Sequence, residues 1–165
     1  MAIDLKQLER YIAAQSPASK IYIGADSCRL SQGNVWYADY TLVVVVHIDG
    51  KHGCKLFGET TRERDYDQRV DRPQMRLMNE VYKVADLYLK LAPVLADRSV
   101  EVHLDISPDP ENGSNCVVQQ AIGYIRGVCN VEPRVKPLAF AASCAADRYK
   151  ELASLAGQAA RLRAA

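Results

Sequence analysis

Residues 42–46, Leu-Val-Val-Val-Val, are an unbroken apolar run rich in β-branched side chains. Such a run suits a strand covered on both faces, so it demands neighbouring strands and a layer above and below. The flanking sequence supplies the neighbours. Residues 21–28 alternate, with Ile21, Ile23 and Ala25 on one face and Tyr22, Gly24 and Asp26 on the other. The turn Ser31-Gln32-Gly33-Asn34 leads into the central strand, expected over residues 35–48. Asp49-Gly50 between strand-like runs is a hairpin signal, and a third strand is expected over residues 51–60.

Helical periodicity frames this meander. Asp4 can cap a short first helix whose stripe is Leu5, Leu8 and Ile12, ended by Ser16-Pro17. After a charged segment at residues 61–72, Asp71 and Pro73 open a long helix with Leu77, Val81, Val84, Ala85 and Tyr88 on one stripe. Glu80 falls about a quarter turn from the centre of that stripe by the ~100° per residue rule. Residues 100–106 alternate again, with Glu101, His103 and Asp105 on one side. A Pro/Gly/Asn loop at 108–115 precedes a helix at 116–128, a fifth short strand at 131–136 and an Ala-rich helix at 142–161. The order after the first helix is βββαβαβα. This is an α/β chain with a mixed five-stranded sheet: a three-stranded antiparallel meander plus two parallel strands. Helices flank the sheet, and an extra helix lies at the N-terminus. Residues 1–165 read as one domain, and 48% apolar content is ample for its core.

Bulk properties narrow the function less than the fold. Net charge is +1, from 21 basic and 20 acidic residues, which argues against a histone-like binder but leaves room for a local basic rim. No stretch approaches the ~20 apolar residues of a membrane span. Five scattered Cys without a Cys-x-x-Cys suggest free thiols, and a cytoplasmic location is the expectation. His52-x-Cys54 is too isolated for zinc.

The chemistry lies in four acids at the ends of four elements: Asp26, Glu80, Asp105 and Asp147. Asp26 and Asp105 interrupt apolar strands, where an unpaired carboxylate costs on the order of several kcal/mol. A divalent cation gathering the charges would lower that cost. Crossover geometry can place Asp26 and Asp105 side by side at the sheet centre and bring Glu80 and Asp147 over them from helices.

This order resembles the ribonuclease H-like superfamily. Ile-Gly-Ala-Asp-Ser ending at Ser27, His-Leu-Asp-Ile around Asp105 and the Lys-Pro-x-Ala-x-Ala-Ala-Ser-x-Ala-Ala-Asp run from Lys136 to Asp147 look more closely like the YkuK-like family of predicted nucleases. The resemblance implies that Asp26 bridges two Mg²⁺ or Mn²⁺ ions, with Glu80 and Asp105 on one and Asp147 on the other. It implies a two-metal nuclease acting on nucleic acid, with Ser27, Arg76 and Lys136 at the substrate. The chain departs from relatives in three ways. Asp26-Ser27-Cys28 lacks the Asp-x-Glu of proofreading exonucleases; the His are at 47, 52 and 103, so the loop histidine near the last helix of classical ribonuclease H is absent; and that helix carries one Asp rather than an acidic pair.

Each residue also has a plainer reading. Asp26 could be a turn former, although Gly24-Ala25 before it would let a ligand approach. Asp105 could cap the Pro108 turn, Glu80 could be a boundary residue, and Asp147 a solvated charge beside Arg148. Lys136 fits either a phosphate contact or a surface lysine. His103 suits a structural hydrogen bond better than Mg²⁺, which prefers oxygen. The arginines at 62, 64, 69, 72 and 76 fit a solvated loop balanced by Asp65, Asp67 and Asp71, or a backbone contact. A catalytically inactive nucleic-acid or protein binding module is the alternative to the nuclease, and a phosphohydrolase of small nucleotides is a third. Monomer and homodimer, and RNA, DNA and hybrid, stay open.

Overall fold

The computed structural model describes residues 2–67 and 69–164. Helix α1 (Leu5–Ala14) begins at Asp4, whose carboxylate accepts from the Gln7 amide at 3.0 Å. Three long strands follow: β1 (Lys20–Gln32), β2 (Val35–His47) and β3 (Cys54–Arg64). Next come α2 (Gln74–Leu95), β4 (Ser99–Leu104), α3 (Val118–Cys129) and α4 (Ala146–Ala164). The sheet order is β3-β2-β1-β4, with β1 antiparallel to β2, β2 antiparallel to β3, and β1 parallel to β4. The strand holding the Leu-Val-Val-Val-Val run is therefore interior, and residues 42–46 are all buried.

The sheet has four strands, not the five expected. Residues 131–136 contribute one isolated bridge, His103 with Arg134. It is held by the Arg134 amide to Val102 O at 2.7 Å and the Leu104 amide to Arg134 O at 2.8 Å. Past the bridge the Lys136 amide donates to Ile106 O at 3.0 Å, two residues beyond the Leu104 O that an in-register parallel ladder would use, so the ladder stops. Two other boundaries differ. The third strand runs on to Arg64, absorbing four residues of the charged segment. The last helix starts at Ala146 after a wide turn at Ala141–Ala145.

One sheet face carries Ile21, Ile23, Ala25, Val44, Val102 and Leu104 against α1, α2 and α3. Leu8 and Ile12 of α1 are completely buried in that layer, worth about 1.5–3 kcal/mol each. The other face receives residues 139–146. A Cβ added to Gly24 would lie 2.7 Å from the Ala142 nitrogen, so only glycine lets this backbone touch β1. The small residues at Gly24 thus serve the approach of the chain itself, not of a ligand. Tyr22, His103 and Phe140 close the same layer with ring centroids 4.7–5.4 Å apart. No described helix is long and apolar enough to cross a membrane.

Candidate metal-binding site

The parallel pairing of β1 with β4 ends at Ala25 opposite Leu104. The next residue on each strand is an acid, Asp26 and Asp105. Beyond this point β1 continues while β4 stops, so the sheet opens beside β1. Residues from both faces can meet in that opening. It forms a cleft of about 780 Å³ lined by Asp26, Ser27, Arg76, Glu80, Asp105 and Lys136 among others.

Strand alternation sends Ser27 toward α2, where its hydroxyl donates to Glu80 Oε1. Arg76, one helical turn before Glu80, donates from Nη1 to the Ser27 carbonyl at 2.9 Å and to its Oγ at 2.5 Å, and lies 3.8 Å from Glu80 Oε1. Glu80 is 3% exposed, deeper than its quarter-turn position suggested. Burial raises its pKa from 4.5 to about 8. The Ser27 hydrogen bond and Arg76 oppose the shift, while the charges of Asp26 and Asp105 add to it.

The start of α2 is fixed differently from the expected Asp71–Pro73 opening. Asp67 reaches forward, its carboxylate accepting from the Met75 amide at 2.9 Å and the Arg76 amide at 2.8 Å. Asp71 instead pairs with exposed Arg69. Asp67 is in turn held by Asp65 and Arg29: its amide donates to Asp65 Oδ1 at 2.9 Å, and its carbonyl accepts from Arg29 at 2.7 Å. The charged segment is therefore the brace that sets Arg76 and Glu80 in place.

Asp105 is pushed up by burial, with Lys136 opposing and the charges of Asp26 and Asp147 reinforcing the rise. Its Oδ2 meets Lys136 Nζ at 3.0 Å, while its buried Oδ1 has no hydrogen-bond partner. On the α4 side, Lys150 bridges Asp26 Oδ2 at 2.7 Å and Asp147 Oδ1 at 2.8 Å. Burial alone would lower the Lys150 pKa, but its hydrogen bonds to Asp147 and Asp26 prevail and raise it. Asp147 itself has a 67% exposed side chain and stands outside the lining of the cleft. His103 takes the structural role: its buried Nδ1 accepts from the Ala141 amide at 3.0 Å and its Nε2 faces Glu101 at 3.3 Å. That pattern fixes a neutral ring protonated on Nε2, and burial lowers its pKa.

Asp26, Glu80 and Asp105 thus line one cleft, and Asp147 joins them through Lys150. Lys150 is the residue that sequence reasoning passed over, and its spacing of three from Asp147 on a helix was the available signal. Among the described residues, no three acidic, histidine or cysteine side chains converge tightly enough to hold a metal ion as they stand. The donor set nevertheless fits a hard divalent cation in kind, being carboxylate oxygen throughout. The unpartnered Asp105 Oδ1 and the charge of Asp26 felt at both Glu80 and Asp105 are unspent capacity for positive charge. Lysine ammonium groups now meet part of that demand.

A family profile described as Ribonuclease H-like matches residues 5–151. No curated protein and no solved structure matches the chain. The match spans every described strand, helices α1 to α3, the wide turn and the start of α4 with all four acids, and the chain belongs to the ribonuclease H-like family.

Proposed function

We propose that the protein is a divalent-metal-dependent nuclease that hydrolyses phosphodiester bonds of nucleic acid. The observation that carries this reading is the electrostatic coupling of acids from four separate elements around the end of the β1–β4 pairing. Burial makes Glu80 and Asp105 harder to ionise, the charge of Asp26 adds to both shifts, and a divalent cation would relieve the burial and the repulsion together.

Asp26, Glu80, Asp105 and Asp147 would hold two Mg²⁺ or Mn²⁺ ions. When bound, such ions supply a water of lowered pKa and neutralise charge on the leaving oxygen. The chain's own residues do the rest. Ser27 and Arg76 orient Glu80 and keep its carboxyl at the cleft wall. Lys136, paired with Asp105 but partly exposed at the cleft edge, offers an ammonium to a substrate phosphate, and Arg72 on the same lining offers a guanidinium.

A second reading has its own observation. Lys136 and Lys150 already neutralise Asp105, Asp26 and Asp147, as they would in a binding module that keeps the fold without turnover. A Mn²⁺ panel on single-stranded, duplex, hybrid and branched substrates separates the two. Cleavage lost in Asp26→Asn supports the nuclease; binding without cleavage in both forms supports the module.

A further inference from the structure

A second recess, of about 420 Å³, shares Arg76 with the acidic cleft and lies between the end of β3, α2 and the start of α3. Its mouth is aromatic and exposed: Tyr66 is 62%, Met75 58% and Tyr82 43% exposed. Large apolar side chains clustered at the surface mark a binding site more often than chance decoration. The polar residues in its wall are spoken for. Glu63 is held by Asn79 at 2.9 Å and by Lys83, and Asp65 by Arg29 at 2.7 Å. Arg64 is therefore the cation that faces the recess, while Arg76 lines it with its guanidinium turned to Ser27 and Glu80 in the cleft. The Arg64 guanidinium lies 5.3 Å over the Tyr66 ring, and Tyr82 rests edge-on against Tyr124 at 4.8 Å, which holds both rings in place.

We infer that this recess takes an unpaired nucleobase of a single-stranded nucleic acid whose backbone passes Arg76 into the acidic cleft. The inference rests on the nuclease reading for the cleft, and it names the substrate class. Aromatic rings beside guanidinium groups are the platform on which bases of any sequence stack, because every base has a π-face. A base inside a duplex cannot offer that face without leaving the stack. Continuity through Arg76 gives the two sites one ligand: phosphate on the cleft side, base on the tyrosine side. A protein partner would bury the same tyrosines but has no use for that continuity.

The test uses the full chain as Asp26→Asn, so that strands are not consumed, with a short single-stranded oligonucleotide carrying 2-aminopurine. Stacking quenches the probe. Tyr66→Ala and Tyr82→Ala should each weaken binding by roughly tenfold and relieve the quench, while Tyr66→Phe and Tyr82→Phe keep both. The same strand with an abasic residue should bind wild-type rings no better than it binds the alanine forms. A duplex bound as tightly as the single strand, or alanine forms that bind every oligonucleotide unchanged, would overturn the inference; the second result would leave the patch to a protein partner. Parallel Mn²⁺ cleavage by the otherwise native chain separates the two readings. Cleavage indifferent to both tyrosines sinks the base site alone. Tyrosine-dependent strand binding without cleavage sinks the nuclease alone and leaves the base site standing.

Discussion

At the residue scale, Glu80 is the group whose environment says most. A carboxyl with a folded pKa near 8 against 4.5 when unfolded binds a proton more tightly in the native state. Its contribution to stability is present below about pH 4.5 and is lost as pH rises toward 8. The metal-free protein should therefore lose melting temperature across that window, and Glu80→Gln should flatten the slope. A slope unchanged in Glu80→Gln assigns the titration to another group. Lys150 yields a second expectation. Its ammonium occupies Asp26 and Asp147, so Lys150→Met should bind Mn²⁺ several-fold more tightly, since each partly exposed pair is worth up to about 1 kcal/mol. Calorimetric titration of both forms reads this directly, and weaker binding in Lys150→Met would make the lysine an ally of the metal. Strand alternation was enough to put Asp26 and Asp105 at the ends of two strands, where β1 and β4 stop pairing. Lys150 could not be tied to Asp26, because the two lie 124 positions apart and no local pattern encodes such a pairing.

At the scale of elements, the strands that the sequence marks by alternation and by the Leu-Val-Val-Val-Val run are the strands that form. Their ends are set by partners rather than by propensity. β3 outruns its expected end because Arg62 and Arg64 pair with Asp39 and Tyr37 across β2, and Arg62 also salt-bridges Asp39 at 2.6 Å. The expected fifth strand falls to one bridge because β4 ends at Leu104 and the Lys136 amide pairs out of register, with Ile106. α2 starts beside Pro73, as expected, but the side chain that caps it is Asp67, from eight and nine residues away, and not Asp71. The contact between Gly24 and residues 141–142 makes a sharp prediction. Gly24→Ala should destabilise by about 1–3 kcal/mol through overpacking, displace the turn that leads to Asp147, and impair activity more than stability alone explains. Gly123→Ala on α3, where a Cβ meets nothing within 4 Å, should be neutral or stabilising by up to about 1 kcal/mol. Chemical denaturation of both variants checks the pair; equal losses would remove the close approach as a constraint.

For the whole molecule, the acids are a local cost that the ribonuclease H-like fold carries at the end of the parallel β1–β4 pair, at the edge of the sheet. A ligand that binds only the folded chain should repay it by mass action. Mg²⁺ or Mn²⁺ at a hundredfold excess over its dissociation constant should add about 2.7 kcal/mol, and Asp26→Asn should lose most of that gain while its metal-free melting stays close to wild type. The same whole-molecule logic separates Asp147 from the other three. Being exposed and tied to the others by Lys150 and by its charge at Asp105, it should matter to turnover and little to stability, within about 0.5 kcal/mol for Asp147→Asn. The most direct measurement is the rate of strand cleavage against Mn²⁺ concentration for wild type, Asp26→Asn and Asp147→Asn. The account predicts a rate that climbs with Mn²⁺ in wild type, is abolished in Asp26→Asn, and is lowered in Asp147→Asn with metal still bound. Three superimposable curves, or no Mn²⁺-dependent product on any substrate, would contradict it.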